Sequence, residues 1–305
     1  MVEVLRTPDE CFVGLPDYDF APHYTEVTAD EGTMLRFHHV EEGPADAAPV
    51  LLMHGNPSWS YLHRHMVRGL AARGHRVLAL DLMGLGRSDK PTDRKFFTLA
   101  RHVDLVAQWL RANDLSGITL YCQDWGGTIA LNVLAVEGDR FTRVIASNTG
   151  LPAGEGVNEF LQQWLDFSQS VDELPIGMLV RGGVSRPLSD AETAAYDAPF
   201  PDKRYQASAL EFPLLIPVQP DNPGVPQCRE TWTYLEAWTK PFLTVFGTDD
   251  MVAYKPGAHR KLQRLIPGAQ GLDHIEIEGA NHFIQEDAPE HLVEIIDTFI
   301  RTDGT

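Results

Sequence analysis

One aspartate, Asp124, stands at the centre of the stretch YCQDWGG (121–127), with Cys122 two residues before it, Gly126 two after and Gly127 next. Small-x-nucleophile-x-small is the pattern of a sharp strand-to-helix turn that lifts a nucleophile clear of its neighbours, because larger side chains clash in so tight a backbone. Alone, Asp124 reads equally well as an ordinary helix N-cap, a position that favours aspartate. Two further groups change that balance: an aspartate of the pair Asp249 and Asp250 in FGTDD, and His282 in GANHF, each placed after an apolar run. Nucleophile, acid and histidine then arrive in sequence on three strand ends.

A carboxylate nucleophile implies a particular reaction. A free aspartate titrates at about 3.9, so it is already ionised near neutrality and needs no base to activate it. His282 is thereby left for a second step. A carboxylate attacking saturated carbon expels a leaving group and becomes an alkyl ester, and water deprotonated by His282 then attacks the ester carbonyl. Backbone N–H groups, expected from Trp125 and from the residue after Gly55, steady the oxyanion. The leaving group must be one that departs from sp³ carbon, either a halide or the oxygen of a strained epoxide. No G-x-S-x-G occurs, which removes an ordinary serine esterase, and GLGRS (84–88) runs into DKP rather than a helix with a third glycine, which removes nicotinamide binding. Of the other histidines, His54 opens the loop HGNP, while His63, His65 and His102 are expected on helices at the surface.

The elements that must carry these groups follow a βαβ rhythm. VLLMH (50–54), RVLALDL (76–82), GITLYCQ (117–123) and RVIASN (143–148) are short apolar runs, and helix-period segments lie between them. Leu62, Met66 and Leu70 share one face before a stop at Gly74, and Leu99, Val103, Val106 and Leu110 follow a Thr98 N-cap. Such alternation specifies a mostly parallel sheet flanked by helices. The rhythm breaks after Asn148 and returns at PFLTVFG (241–247) and IEIEG (275–279). A closing helix then starts from an Asp287 cap and buries Leu292, Ile295, Ile296 and Phe299. Residues 152–230 read as an inserted helical cap with five prolines at its exit, and residues 1–151 and 231–305 as the core domain.

Composition narrows the partners. Acidic residues outnumber basic ones 43 to 25, giving a formal net charge of −18, so the surface repels phosphate backbones and nucleic acid is not expected as a partner. No stretch approaches the roughly 20 apolar residues that cross a bilayer, and MVEVLRTPDE is not the start of an export signal, so no membrane association and a cytoplasmic location are expected. Three cysteines, Cys11, Cys122 and Cys228, with no C-x-x-C spacing, suggest neither a disulfide framework nor a zinc site.

Six stretches, RTPDECFVGLPDYDFAPHY, HGNPSWSYLHRHM, DLMGLGRSDKP, QDWGG, APFPDKRYQA and GANHFIQED, cover the chain from end to end, cap included. Together they resemble the haloalkane dehalogenases, especially the subfamily whose catalytic acid follows the strand after the cap. The resemblance implies an α/β-hydrolase fold with an eight-stranded sheet, a buried apolar site, and hydrolysis of haloalkanes to alcohol, halide and a proton, with water as the only co-substrate and no metal or organic cofactor. It implies Asp124 as nucleophile and His282 as base, and its G-x-x-D spacing selects Asp250 rather than Asp249 as acid. It further implies that the indoles of Trp125 and, in EFLQQWLDF, Trp164 hold the halide, although Trp164 also fits a plain cap core with Phe160, Leu161 and Phe167. Asn56 resembles the halide-binding asparagine of the sibling subfamily and either supplements or replaces Trp164. That sibling's acid would follow Asn148, where SNTGLP has no carboxylate. By the same resemblance the Asn56–Pro57 bond is expected to be cis. An epoxide hydrolase with the same triad, drawing on Tyr196, Tyr205 or Tyr234 as proton donors, is the nearest alternative, and a non-catalytic receptor on a hydrolase scaffold is a different one.

Overall fold

The apolar runs become strands buried on both faces, as a sheet covered by helices on either side requires. Beside a short antiparallel pair, Val4–Leu5 with Lys90–Pro91, the strands of the main sheet in chain order are β1 (Pro22–Thr28), β2 (Met34–Glu42), β3 (Pro49–Met53), β4 (Arg76–Leu80), β5 (Ile118–Gln123), β6 (Phe141–Ser147), β7 (Phe242–Gly247) and β8 (Ile275–Ile277). The computed structural model describes residues 2–29 and 32–302. These strands form one 8-stranded sheet in the order β8-β7-β6-β5-β3-β4-β2-β1. β3 to β8 run parallel, and β2 and β1 are added antiparallel at one edge. Every residue of β3, β5 and β7 is buried.

The helices of the core are α1 (Arg64–Ala71), α2 (Leu99–Ala112) and α3 (Trp125–Glu137). Thr98 caps α2 as its sequence predicts, its side chain accepting from the Arg101 N–H. Residues Trp125 to Leu134 of α3 are all buried, which fits a helix apolar on every side and pressed between sheet and cap. The inserted segment supplies α4 (Glu159–Ser170), α5 (Ile176–Gly182), α6 (Asp190–Asp197), α7 (Ala207–Leu215) and α8 (Val225–Leu235), and no strand among the described residues. α8 runs through position 230, where the sequence reading ended the cap. It packs on α3, with Thr231 donating to Asn132 at 2.6 Å and the Trp232 indole donating to the Leu151 carbonyl at 2.8 Å. The chain closes with α9 (Ala258–Leu265), α10 (Ile284–Asp287) and α11 (Pro289–Arg301), whose Leu292, Ile295, Ile296 and Phe299 are buried. No described helix is long and apolar enough to cross a membrane.

Three local expectations need correcting. His63 and His102 are buried, not at the surface. His102 is stacked between Phe97 and Phe212, with ring centroids 5.7 and 4.6 Å away, because α7 of the cap covers the outer side of α2. His63 sits edge-on to Tyr121 at 6.0 Å, and burial pushes both imidazoles down to about 3, so they are neutral core residues. Asp287 caps no helix: α11 starts at Pro289 with Ala288 as N-cap. Its carboxylate instead accepts from the Asn281 N–H at 2.7 Å and from the Ser185 and Arg186 N–H groups at 2.8 and 2.9 Å, joining the loop before α10 to the cap.

Where the strands end, one buried amide ties the loops together. Asn148, at φ 39°, receives the Asp124 N–H on its own carbonyl at 3.1 Å and the Gly247 N–H on Oδ1 at 2.8 Å. Its Nδ2 donates to the carbonyls of Asn281 at 2.8 Å and His282 at 3.1 Å. Asn148→Asp keeps size and tolerates the same backbone, but replaces the donor by an oxygen facing two carbonyls. We expect the variant to unfold with about 1–3 kcal/mol less free energy in urea titrations; an unchanged midpoint and slope would show that these bonds do not hold the loops.

Candidate active site

Asp124 occupies the turn between β5 and α3 with φ 52° and ψ −127°, a region that costs a non-glycine residue about 1–3 kcal/mol and survives only where its surroundings enforce it. Although it holds the N-cap position of α3, its side chain makes no capping bond, so the N-cap reading fails. Enforcement comes from close backbone approach: a Cβ on Gly126 would lie 2.4 Å from the carbonyl oxygens of Met53 and His54. The Thr149 hydroxyl adds a bond to the Asp124 carbonyl at 2.7 Å. Cys122, at the first small position, is fully buried and fits without displacement.

The side chain of Asp124 thus points away from its own helix and toward two groups. Its Oδ1 accepts from the Asn56 backbone N–H at 2.9 Å, and its Oδ2 lies 3.4 Å from His282 Nε2. The Asn56–Pro57 peptide is cis, as expected. On its other side, His282 Nδ1 lies 3.1 Å from Asp250 Oδ1. Asp250 is fully buried and accepts further from the N–H groups of Val252 and Ala253 at 2.8 and 3.1 Å, whereas Asp249 is exposed. The two aspartates of FGTDD are therefore separated by burial, and it is Asp250 that meets the histidine.

Electrostatics follow from this sandwich. Burial disfavours the charged form of His282, but the carboxylates of Asp250 and Asp124 outweigh it and raise the imidazole to about 10. Burial likewise works against the charge on Asp250, and His282 with the surrounding N–H groups holds its carboxyl below the ordinary range. Gln123 Nε2 lies 3.3 Å from His282 Nε2 and donates to the His282 carbonyl at 3.1 Å.

Trp125 is buried, with its ring 4.9 Å from that of Phe212 on α7. The side-chain amide of Asn56 donates to the Ala209 carbonyl, also on α7, at 3.3 Å. Trp125, Asn56 and the triad are thus brought together beneath one cap helix. Trp164 stands on α4, which packs against α7, and its ring neighbour is Phe167 at 6.1 Å. No bond among the described residues ties Trp164 to the triad directly. Of its neighbours on α4, Phe160 and Phe167 are 42% and 39% exposed, whereas Trp164 itself is partly buried and packs against the hydrophobic core. Sequence reasoning gave no site role to Asn148 or Gln123; the polar triplet SNT at the end of an otherwise apolar strand was the available signal for the first.

Comparison with known proteins agrees with this geometry. Residues 48–289 match the family model for the alpha/beta hydrolase fold. The chain is 47% identical to a haloalkane dehalogenase of Psychrobacter cryohalolentis over 98% of both chains, and 47% identical to one of Mycobacterium marinum over 97% of this chain and 99% of that one. Among solved structures, the haloalkane dehalogenase DpaA of Paraglaciecola agarilytica superposes with a TM-score of 0.89 at 34% identity, covering 97% of each chain. With such agreement along nearly its whole length, the chain belongs to the haloalkane dehalogenases, a family of the α/β-hydrolase fold.

Proposed function

We propose that this protein hydrolyses the carbon–halogen bond of small haloalkanes through an alkyl ester on Asp124. The observation that carries the reading is a carboxylate at the elbow with a histidine 3.4 Å away, itself backed by a buried aspartate at 3.1 Å. Oδ1 of Asp124 is occupied by the Asn56 N–H, which leaves Oδ2 to attack the halogen-bearing carbon. Charge passes to the departing halide, and the indole N–H groups of Trp125 and Trp164 receive it, with the Asn56 amide beside them. Donors fixed under a cap replace the water that would otherwise solvate the ion. Residues 152–230 act as that cap, with α8 anchoring it to α3.

The second half-reaction grows from the first. While Asp124 is a carboxylate, two negative groups favour the protonated form of His282. Alkylation removes the charge of Asp124, so one of the two supports is lost, the imidazolium gives up its proton to solvent more readily, and the neutral ring is available when water must be deprotonated. Asp250 then steadies the imidazolium, and the oxyanion forms at Oδ1 against the Asn56 N–H, with the Trp125 backbone N–H as second donor. Alcohol, halide and a proton leave. The epoxide reading is less well supplied: the Tyr196 hydroxyl is buried and donates to Glu286, and the Tyr234 ring packs against Trp238 at 6.0 Å beside the far end of α3. We place the enzyme in the cytoplasm, where its three free cysteines stay reduced.

Three outcomes test this reading. With His282→Gln and a bromoalkane, the peptide containing Asp124 should gain the mass of the alkyl group; stoichiometric bromide release with an unmodified peptide would end the mechanism. Asp124→Asn mimics the neutral ester, so the His282 imidazole should titrate at lower pH than in the parent protein when followed by ring NMR shifts, and single-turnover hydrolysis of the alkyl ester in the parent enzyme should quicken as pH rises through that lowered value. An unchanged titration would mean that Asp124 does not set the base. Trp164→Phe should weaken the quenching of tryptophan fluorescence by bromide and lower turnover by up to about 10²–10³-fold, the effect of one donor aimed at developing charge. If it keeps both while Asn56→Ala loses them, the asparagine is the second halide donor.

A further inference from the structure

Sequence spacing hides a second cluster of metal-binding side chains, because its members meet across a strand pair. His23 on β1 is directly opposite His39 on β2, and Glu41 lies two residues further along β2, hence on the same face. One ligand atom from each of the three lies within 4.8 Å of the others. We propose that His23, His39 and Glu41 form a binding site for one Zn²⁺ ion on the edge pair of the sheet, separate from the Asp124 elbow.

The case rests first on His39. It is only 3% exposed, yet its Nδ1 has no hydrogen-bond partner, and its Nε2 lies 3.7 Å from Glu41 Oε2, beyond hydrogen-bond distance. No hydrogen bond among the described residues engages that Nε2, which leaves it open to a metal on the Glu41 side. Trp109 holds the His39 ring edge-on at 5.2 Å, and the exposed His23 ring lies stacked on it at 5.4 Å. Glu41 is oriented too: its other oxygen accepts from Arg76 Nε at 2.7 Å, the outer partner that ligating carboxylates commonly have.

Two imidazoles and one carboxylate suit zinc, whereas calcium and magnesium prefer all-oxygen sets. Tetrahedral zinc with bonds of about 2.0–2.2 Å needs ligand atoms roughly 3.3–3.4 Å apart. The His39–Glu41 pair at 3.7 Å is nearly there, and His23, which is exposed, is free to swing inward and to admit the ion. Bound zinc would cross-link the edge strand β1 to β2, which is separated from β5 by β3 and β4.

The test uses the untagged full chain stripped with EDTA and titrated calorimetrically with zinc chloride. One ion per chain should bind, with affinity reduced about tenfold or more in His23→Ala and in Glu41→Gln. Because His23 is exposed, its variant should fold and keep parental dehalogenase turnover, and zinc should raise the melting temperature of the parent but not of that variant. Binding of equal affinity and stoichiometry to parent and His23→Ala, or no binding to the parent at millimolar zinc, would overturn the proposal.

Discussion

The site depends on holding three separate strand ends within bonding distance of one another, and a single buried side chain does this. Asn148 offers donors to the loop carrying His282, an acceptor to the end of β7 that leads to Asp250, and its backbone carbonyl to the elbow of Asp124. Only an amide can fill this role, because the position faces two carbonyl oxygens on one side and an N–H on the other. A carboxylate there would set like charges against each other. The end of β6 is thereby occupied in joining the loops, and the carboxylate that meets His282 is Asp250, after β7.

With the loops fixed, charge becomes the controlling variable. His282 lies between two carboxylates, one permanently buried and one consumed by the reaction. Both carboxylates favour the protonated form of His282, so the protonation of the imidazole is tied to the charge on Asp124 as well as to that on Asp250. The strained backbone of Asp124 belongs to the same design: it turns the carboxylate away from the N–H groups of its own helix, which would otherwise engage it as a cap.

Much of this was legible in the sequence because it is written in residue types at short spacing. The elbow, the order of the triad, the parallel strands and the Thr98 cap all depend on neighbours within a few positions. What was not legible depends on contacts across the fold. His102 looked like a surface residue because helical periodicity says which face meets the sheet and nothing about a cap helix arriving more than a hundred residues later. Asp287 looked like a helix cap, and its carboxylate was taken instead by backbone groups of Asn281, Ser185 and Arg186. The choice between Asp249 and Asp250 needed the spacing of a family, since two adjacent acids at a strand end are equivalent by type and differ only by burial. Residue 230 looked like a boundary because prolines end just before it, yet α8 continues through that point, packed on α3.

The cap is attached unevenly to the core. At one side the fully buried Arg64 of α1 meets Glu286 of α10 and Glu192 of α6, with Tyr196 of α6 and Arg186 joining the same carboxylates, so cap and core share one ion network. Breaking one member of such a buried set strands a charge, at a cost of about 3–5 kcal/mol, which makes this attachment stiff. α8 is held by its bonds to α3 on another side. Between them α4 has one fully buried residue and two exposed phenylalanines, so it is the part of the cap with least to lose on moving. Trp125, by contrast, lies buried in the first turn of α3, so the two tryptophans stand on the most and the least enclosed of the helices around the elbow.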